Sequence, residues 1–270
     1  MALFRIFFLL IISFQLSCSG NVLREFADKE DEDAILYTVY RHQAKKEYAD
    51  ALTAFQTLKS TTQAKRDNQF LLATIYLGIC GLDFLSLTTE FGNIGTTNFL
   101  QFLMATFTGA TATQLANCKS AETTLINIDP DAANRTTDEN VLMVYTSFAK
   151  IGSSLNFYAD TDNNDTVDGS FAACTTGSLA DLEAGHVATG LRNFIDSMNQ
   201  VASEIGVGSG SLADLNSVCS SLPGSANFCT VTDPSTLTAD QQRGIRTVIR
   251  ESSAIGIAEC TGDVSTCLCP

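Results

Sequence analysis

Nine cysteines constrain this chain more than any other feature: Cys18, Cys80, Cys118, Cys174, Cys219, Cys229, Cys260, Cys267 and Cys269. An odd number cannot all be joined in disulfides within one molecule, and Cys18 stands far upstream of the rest. Setting it aside leaves an even set, which suits as many as four disulfides in an oxidising compartment. Cys219 and Cys229 read as a local bridge across SLPGSANF. Cys267 and Cys269 are too close in sequence to bridge each other comfortably, so both are expected to reach back, one of them to Cys260. Spacing leaves the other pairings open. Zinc is disfavoured: no C-x2-C repeat occurs, and neither His42 nor His186 lies near a cysteine pair.

The N-terminus explains the odd cysteine. Arg5 precedes an apolar run from Ile6 to Phe14, and small residues surround Cys18. This is the charged, apolar and cleavage-site order of a secretory signal. The run is about half of the roughly 20 residues a stable bilayer-spanning helix needs. Residues 1–17 are therefore expected to be a signal peptide. The segment Gln15-Leu16-Ser17-Cys18 resembles the bacterial lipobox, with Gln15 where an aliphatic residue is usual. The resemblance implies cleavage before Cys18, covalent lipid on that cysteine, and residues 18–33 as a lipidated tether. Acyl chains contribute about 0.8 kcal/mol per buried methylene, enough to anchor a protein without a spanning helix. Ser19, not Asp, follows the cysteine, and this points to the outer membrane, facing the periplasm or the surface. Ordinary cleavage near Gly20, discarding Cys18, is the alternative.

Without the signal about 250 residues remain, enough for one good core or two small ones. Net charge is −14 and no Lys/Arg cluster occurs. Nucleic-acid binding is disfavoured, because neutralising phosphates needs a basic footprint. Pro is scarce, at four, and no long alternating Val/Ile/Thr run suggests a sheet. Apolar residues recur at i, i+3, i+4, i+7 through Ile35, Leu36, Val39 and Tyr40, then through Tyr48, Ala51, Leu52, Phe55 and Leu58. A longer helix over Asp67–Thr89, apolar nearly all round and carrying Gly78 and Gly81, is expected at the centre of the core. Further helices are expected over Thr97–Thr111, Thr113–Ile126, Asp138–Tyr158, Ser178–Ile205, Ser211–Ser221 and Thr238–Ile257. Ser178, Ser211 and Thr238 each precede Asp or Gln by three, as N-caps do. GSLADL occurs at Gly177–Leu182 and again at Gly210–Leu215, and reads as a shared capping solution.

The stretch Lys45 to Leu58, KKEYADALTAFQTL, resembles the second helix of a tetratricopeptide repeat. Tyr48, Ala51 and Phe55 stand at that motif's aromatic, alanine and aromatic spacing. Leu72, Ala73 and Tyr76 match the start of the following repeat, whereas Thr38, Val39 and His42 depart from the start of the first. The likeness covers about forty residues of the chain. With the signal and the lipobox, it resembles the repeat-containing lipoproteins of bacterial envelopes. It implies an all-α fold, a helical-hairpin (TPR-like) bundle or short solenoid, with residues 34–270 as a single helical domain and a TPR-like core at about 34–92. The implied role is a membrane-anchored scaffold that binds another envelope protein, of unknown identity. The alternative is a ligand-binding helical lipoprotein of a periplasmic solute-uptake system.

One loop carries metal-ligand spacing. In ADTDNNDTVDGSF, Asp160, Asp162, Asn164, Thr166 and Asp168 occupy relative positions 1, 3, 5, 7 and 9 of a calcium loop. Calcium wants six to eight oxygens, which alternate residues of a tight loop supply. The pattern departs from an EF-hand at position 6, Asp165 instead of Gly, and at position 12, Phe171 instead of Glu. A structural calcium ion is expected over 160–168, with Asp181 or Glu183 as candidates to complete the shell. An Asx-rich turn without any ion is the alternative. No G-x-S-x-G, P-loop or H-E-x-x-H motif appears, and two histidines are few for hydrolase designs. The expectation is a protein that is not an enzyme.

Overall fold

The computed structural model describes residues 31–82, 98–205, 217–219, 221–222, 224–253 and 255–270. The expected signal, Cys18 and the tether as far as Glu30 lie outside these residues. So do the end of the Asp67–Thr89 helix and most of the Ser211–Ser221 helix. Among the described residues every regular element is helical and none is a strand. No helix among them is long and apolar enough to cross a membrane. The chain divides into two compact units, Met1–Gln63 and Ala64–Pro270. The boundary falls inside the TPR-like stretch, with Tyr48, Ala51 and Phe55 in the first unit and Leu72, Ala73 and Tyr76 in the second.

The first unit is a helical hairpin. Helix α1 (Glu32–Ala44) turns through Lys46, in the left-handed region at φ 61°, into α2 (Tyr48–Gln56), and one turn of helix, α3 (Ser60–Gln63), follows. Val39, Ala51 and Phe55 are buried, as their helical spacing requires. The Glu32 carboxylate accepts the Lys59 backbone N–H at 2.9 Å and closes the hairpin at its open end.

The second unit is built around α7 (Thr137–Ala159). Before it come α4 (Arg66–Ile79), α5 (Phe99–Thr106) and α6 (Ala112–Ile128), and after it α8 (Asp181–Ile205) and α9 (Ala239–Arg250). Helix α4 packs on α6, α5 on α7, and α7 against both α6 and α8, which in turn touches α9. The central helix is therefore α7 and not the apolar Asp67 helix expected there. Gly152, Ser153 and Ser154 on α7 are buried, and such small side chains let neighbouring helices approach closely. Phe99, Phe148 and Phe194, from α5, α7 and α8, form an aromatic triangle with centroids 4.7 to 5.6 Å apart. Phe148 and Phe194 are buried and Phe99 is half-buried; full burial of such a ring contributes about 1.5–3 kcal/mol.

Helix ends explain most differences from the expected boundaries. Helix α4 stops at Cys80 because Gly81 takes φ 95°; the Gly81 N–H reaches the Gly78 carbonyl and the Leu82 N–H that of Leu77. This double bond pattern is a Schellman cap, so Gly81 ends the helix instead of lying on it. Helix α8 begins at Asp181, because the Ser178 hydroxyl accepts the Ala172 N–H at 3.1 Å instead of capping. Helix α9 stops at Arg250: the Glu251 carboxylate then accepts the N–H groups of Ser253, Ile255 and Gly256 and turns the chain back. Thr238 and Gln241 form the expected capping box, and Thr111–Gln114 and Thr136–Glu139 form two more. Glu139 also accepts from Nε and Nη2 of Arg66, at 2.7 and 2.6 Å, and so ties α4 to the start of α7.

The eight described cysteines form four disulfides: Cys80–Cys118, Cys174–Cys269, Cys219–Cys229 and Cys260–Cys267. The C-terminal part is thus disulfide-linked, and both members of the Cys267/Cys269 pair reach back. Cys80–Cys118 joins the end of α4 to α6. Cys174–Cys269 closes a separation of 95 residues, which in the chain-entropy picture stabilises by on the order of 4–5 kcal/mol.

Candidate metal loop

Helix α7 ends where the acidic loop begins. Asp160 is its C-cap, fully buried, and its position is fixed from both sides. Its carboxylate accepts the N–H groups of Asn164 at 2.9 Å and Asp165 at 3.2 Å and the Asn156 amide at 3.0 Å. These bonds fold residues 160–165 into a tight turn. Asn163 and Asp165 meet its curvature in the left-handed region, at φ 56° and 65°. Asp at position 6 thus adopts the conformation for which Gly is usual, since Asp and Asn tolerate it better than other side-chain-bearing residues.

Asp160, Asp162 and Asp168 each place a carboxylate oxygen within 4.8 Å of the other two. Asp168 also closes the loop, accepting the N–H and hydroxyl of Thr161 while its own N–H donates to the Ala159 carbonyl at 2.7 Å. Asn164 is turned to local bonds: its amide donates to Asp162 at 2.9 Å and its oxygen accepts the Thr166 N–H at 2.9 Å. The loop is pinned to the end of α5, where Thr108 donates to Asp165 and the Gly109 N–H donates to Asn163 at 2.7 Å.

Burial pushes the Asp160 carboxyl above its ordinary range, against the pull of the two backbone donors. The Thr161 hydroxyl and N–H hold Asp168 below it. The donors are all hard oxygens, the chemistry of a calcium or magnesium ligand set. Position 12 contributes nothing, because Phe171 is buried and belongs to the core cluster. The two acids expected to complete the shell are engaged elsewhere. Asp181 pairs with Arg246 at 2.9 Å and Glu183 with Lys119 at 2.6 Å.

Two constellations escaped the sequence reading. His42, at the end of α1, lies with Nδ1 2.7 Å from the Glu47 carboxylate, which accepts from the ring, and Asp50 lies beside them, all within 4.8 Å. In the second unit, Lys150 is completely buried, paired with Glu122 and donating to Thr189 at 2.9 Å; the Asn193 amide donates to Glu122 at 2.8 Å. One faint signal was available, a single Lys within the otherwise uncharged run SFAKIGSSLNF. His186, nearby on α8, keeps its buried Nδ1 without a hydrogen-bond partner among the described residues. Comparison with known protein families, with characterised proteins and with solved structures found no match.

Proposed function

We propose that this chain is an exported protein anchored to the cell envelope by lipid on Cys18, whose helical body is a scaffold for another envelope protein. One observation carries the reading: all eight other cysteines are paired. Four disulfides favour an oxidising compartment, and Cys18 is left as the one cysteine without an intramolecular partner of its own kind. The scaffold half of the reading draws on Tyr37 and Tyr40, one helical turn apart on α1 and 69% and 52% exposed. Tyr is among the residues enriched at protein interfaces. A calcium ion held by Asp160, Asp162 and Asp168 would serve structure, bracing the junction between the end of α7 and the loop that leads to α8.

The test is expression of the whole chain in a bacterium, followed by mass analysis of its N-terminal peptide. A diacylated Cys18 in the membrane fraction, lost on Cys18→Ser, is expected. A mature chain that begins beyond Cys18 and fractionates with soluble periplasmic proteins would overturn the anchor. For the scaffold, cross-linking in the intact envelope is expected to trap a partner that is lost when Tyr37 and Tyr40 become Ser. Identical cross-linked products in the two chains would remove that face from the reading.

A further inference from the structure

We propose that the Cys174–Cys269 disulfide is a site of thiol–disulfide exchange, attacked at Cys269 from an adjoining groove and releasing Cys174 toward Arg250. Two independent features meet at this bond. The first is a cation. Arg250, the last residue of α9, donates from Nη1 to Cys174 Sγ at 3.2 Å. Glu259 keeps that guanidinium in place, with a carboxylate oxygen 3.6 Å from Arg250 Nε while its other oxygen accepts the Ala173 N–H at 2.8 Å. Among the described residues no other disulfide sulfur receives a hydrogen bond from a cation. The Cys118 sulfur meets only the neutral Ser153 hydroxyl, at 3.4 Å.

The second feature is an adjoining groove. A groove of about 220 Å³ is lined by Leu222, Ala226, Arg243, Thr247, Leu268 and Cys269. Leu268, one of these, is 55% exposed. The cation therefore lies beside one sulfur and the groove beside the residue that carries the other. In the exchange, an incoming thiolate attacks Cys269 Sγ and forms a new S–S bond there. The Cys174–Cys269 bond breaks and its electron pair goes to Cys174 Sγ, which becomes a thiolate against the Arg250 guanidinium. The incoming sulfur is oxidised, Cys174 is reduced, and no other oxidant or proton is needed. A leaving thiol whose pKa is lowered by a neighbouring cation leaves faster. The co-reactant is a thiolate, from a small thiol or from a cysteine of a partner polypeptide.

Exposure and electrostatics make opposite predictions about which bond opens first, and this makes the proposal testable. Cys219 and Cys229 are both partly exposed, as is Cys174, whereas Cys269 is buried, so exposure favours opening at Cys219–Cys229 or attack at Cys174 over attack at Cys269. The oxidised full chain would be treated with graded glutathione, and in parallel with an unstructured cysteine-containing peptide, then alkylated and mapped by mass spectrometry. The first adduct is expected on Cys269, with Cys174 alkylated, and the faster of the two arms identifies the source of the thiol. First opening at Cys219–Cys229, an adduct on Cys174, or no adduct in either arm overturns the proposal. Arg250→Gln is expected to slow this opening by roughly three- to tenfold, and Arg250→Lys to restore much of it. The adduct map of the unaltered chain stands by itself if Arg250→Gln does not fold.

Discussion

Lys150 on α7 and Glu122 on α6 form an ion pair whose side chains are 0% and 6% exposed. Thr189 and Asn193 on α8 supply the remaining bonds, so three helices share one polar centre inside an apolar core. Burial pushes the Lys150 ammonium below its ordinary range, and Glu122 opposes that push. An uncompensated charge at either position is expensive, whereas an apolar pair of similar volume is tolerated.

Lys150→Met alone is therefore expected to destabilise the second unit by about 3–5 kcal/mol, because it strands the Glu122 carboxylate. The double variant Lys150→Met/Glu122→Leu is expected to regain most of that loss. Urea unfolding of the two variants checks the claim, which fails if the double variant is less stable than the single one.

His186 carries a pH dependence of definite sign. Burial, with Lys150 and Lys119 nearby, lowers its pKa from 6.5 to about 3. The unfolded chain therefore binds a proton that the folded chain refuses between these values. The stability tied to His186 is complete above about pH 6.5 and is lost as pH falls toward 3. Thermal melts between pH 7 and 5, above the range of ordinary carboxylates, are expected to show a smaller slope for His186→Gln than for the unaltered chain. Equal slopes would mean that the ring takes up its proton as readily in the folded chain as in the unfolded one.

For the acidic loop, calcium is expected to raise the melting temperature and EDTA to reverse the rise. A hundredfold excess over Kd would contribute about 2.7 kcal/mol. Asp162→Asn removes one charge at an exposed loop position and is expected to abolish most of this response while leaving the calcium-free melt close to that of the unaltered chain. A transition indifferent to both calcium and EDTA counts against the ion.

Two glycines should respond oppositely to alanine. A Cβ on Gly185, in α8, would lie 2.1 Å from the Pro234 carbonyl oxygen, and that neighbour is backbone that cannot rotate away. Gly185→Ala is expected to cost about 1–3 kcal/mol through overpacking. A Cβ on Gly169 meets nothing within 4 Å and its φ imposes no strain; Gly169→Ala is expected to be neutral or to stabilise by about 0.4–1 kcal/mol. Chemical unfolding of the two variants, side by side, distinguishes them.

The sequence by itself determined the helical class, the even set of pairing cysteines, the Cys219–Cys229 bridge and the extent of α7 to within a residue or so. These depend on local periodicity, on capping side chains such as Thr238 and Gln241, and on short spacings, all of which are written along the chain. The tertiary structure alone decided that Cys174 pairs with Cys269, that Lys150 finds Glu122, and that Asp181 and Glu183 answer Arg246 and Lys119 instead of the loop. It also decided that α7, and not the helix that begins near Asp67, lies at the centre. Each depends on which helix faces which, and helix facing is settled by close packing of whole faces. Hydropathy along the chain records how much of a helix is apolar, not which small residues will let its neighbours come near.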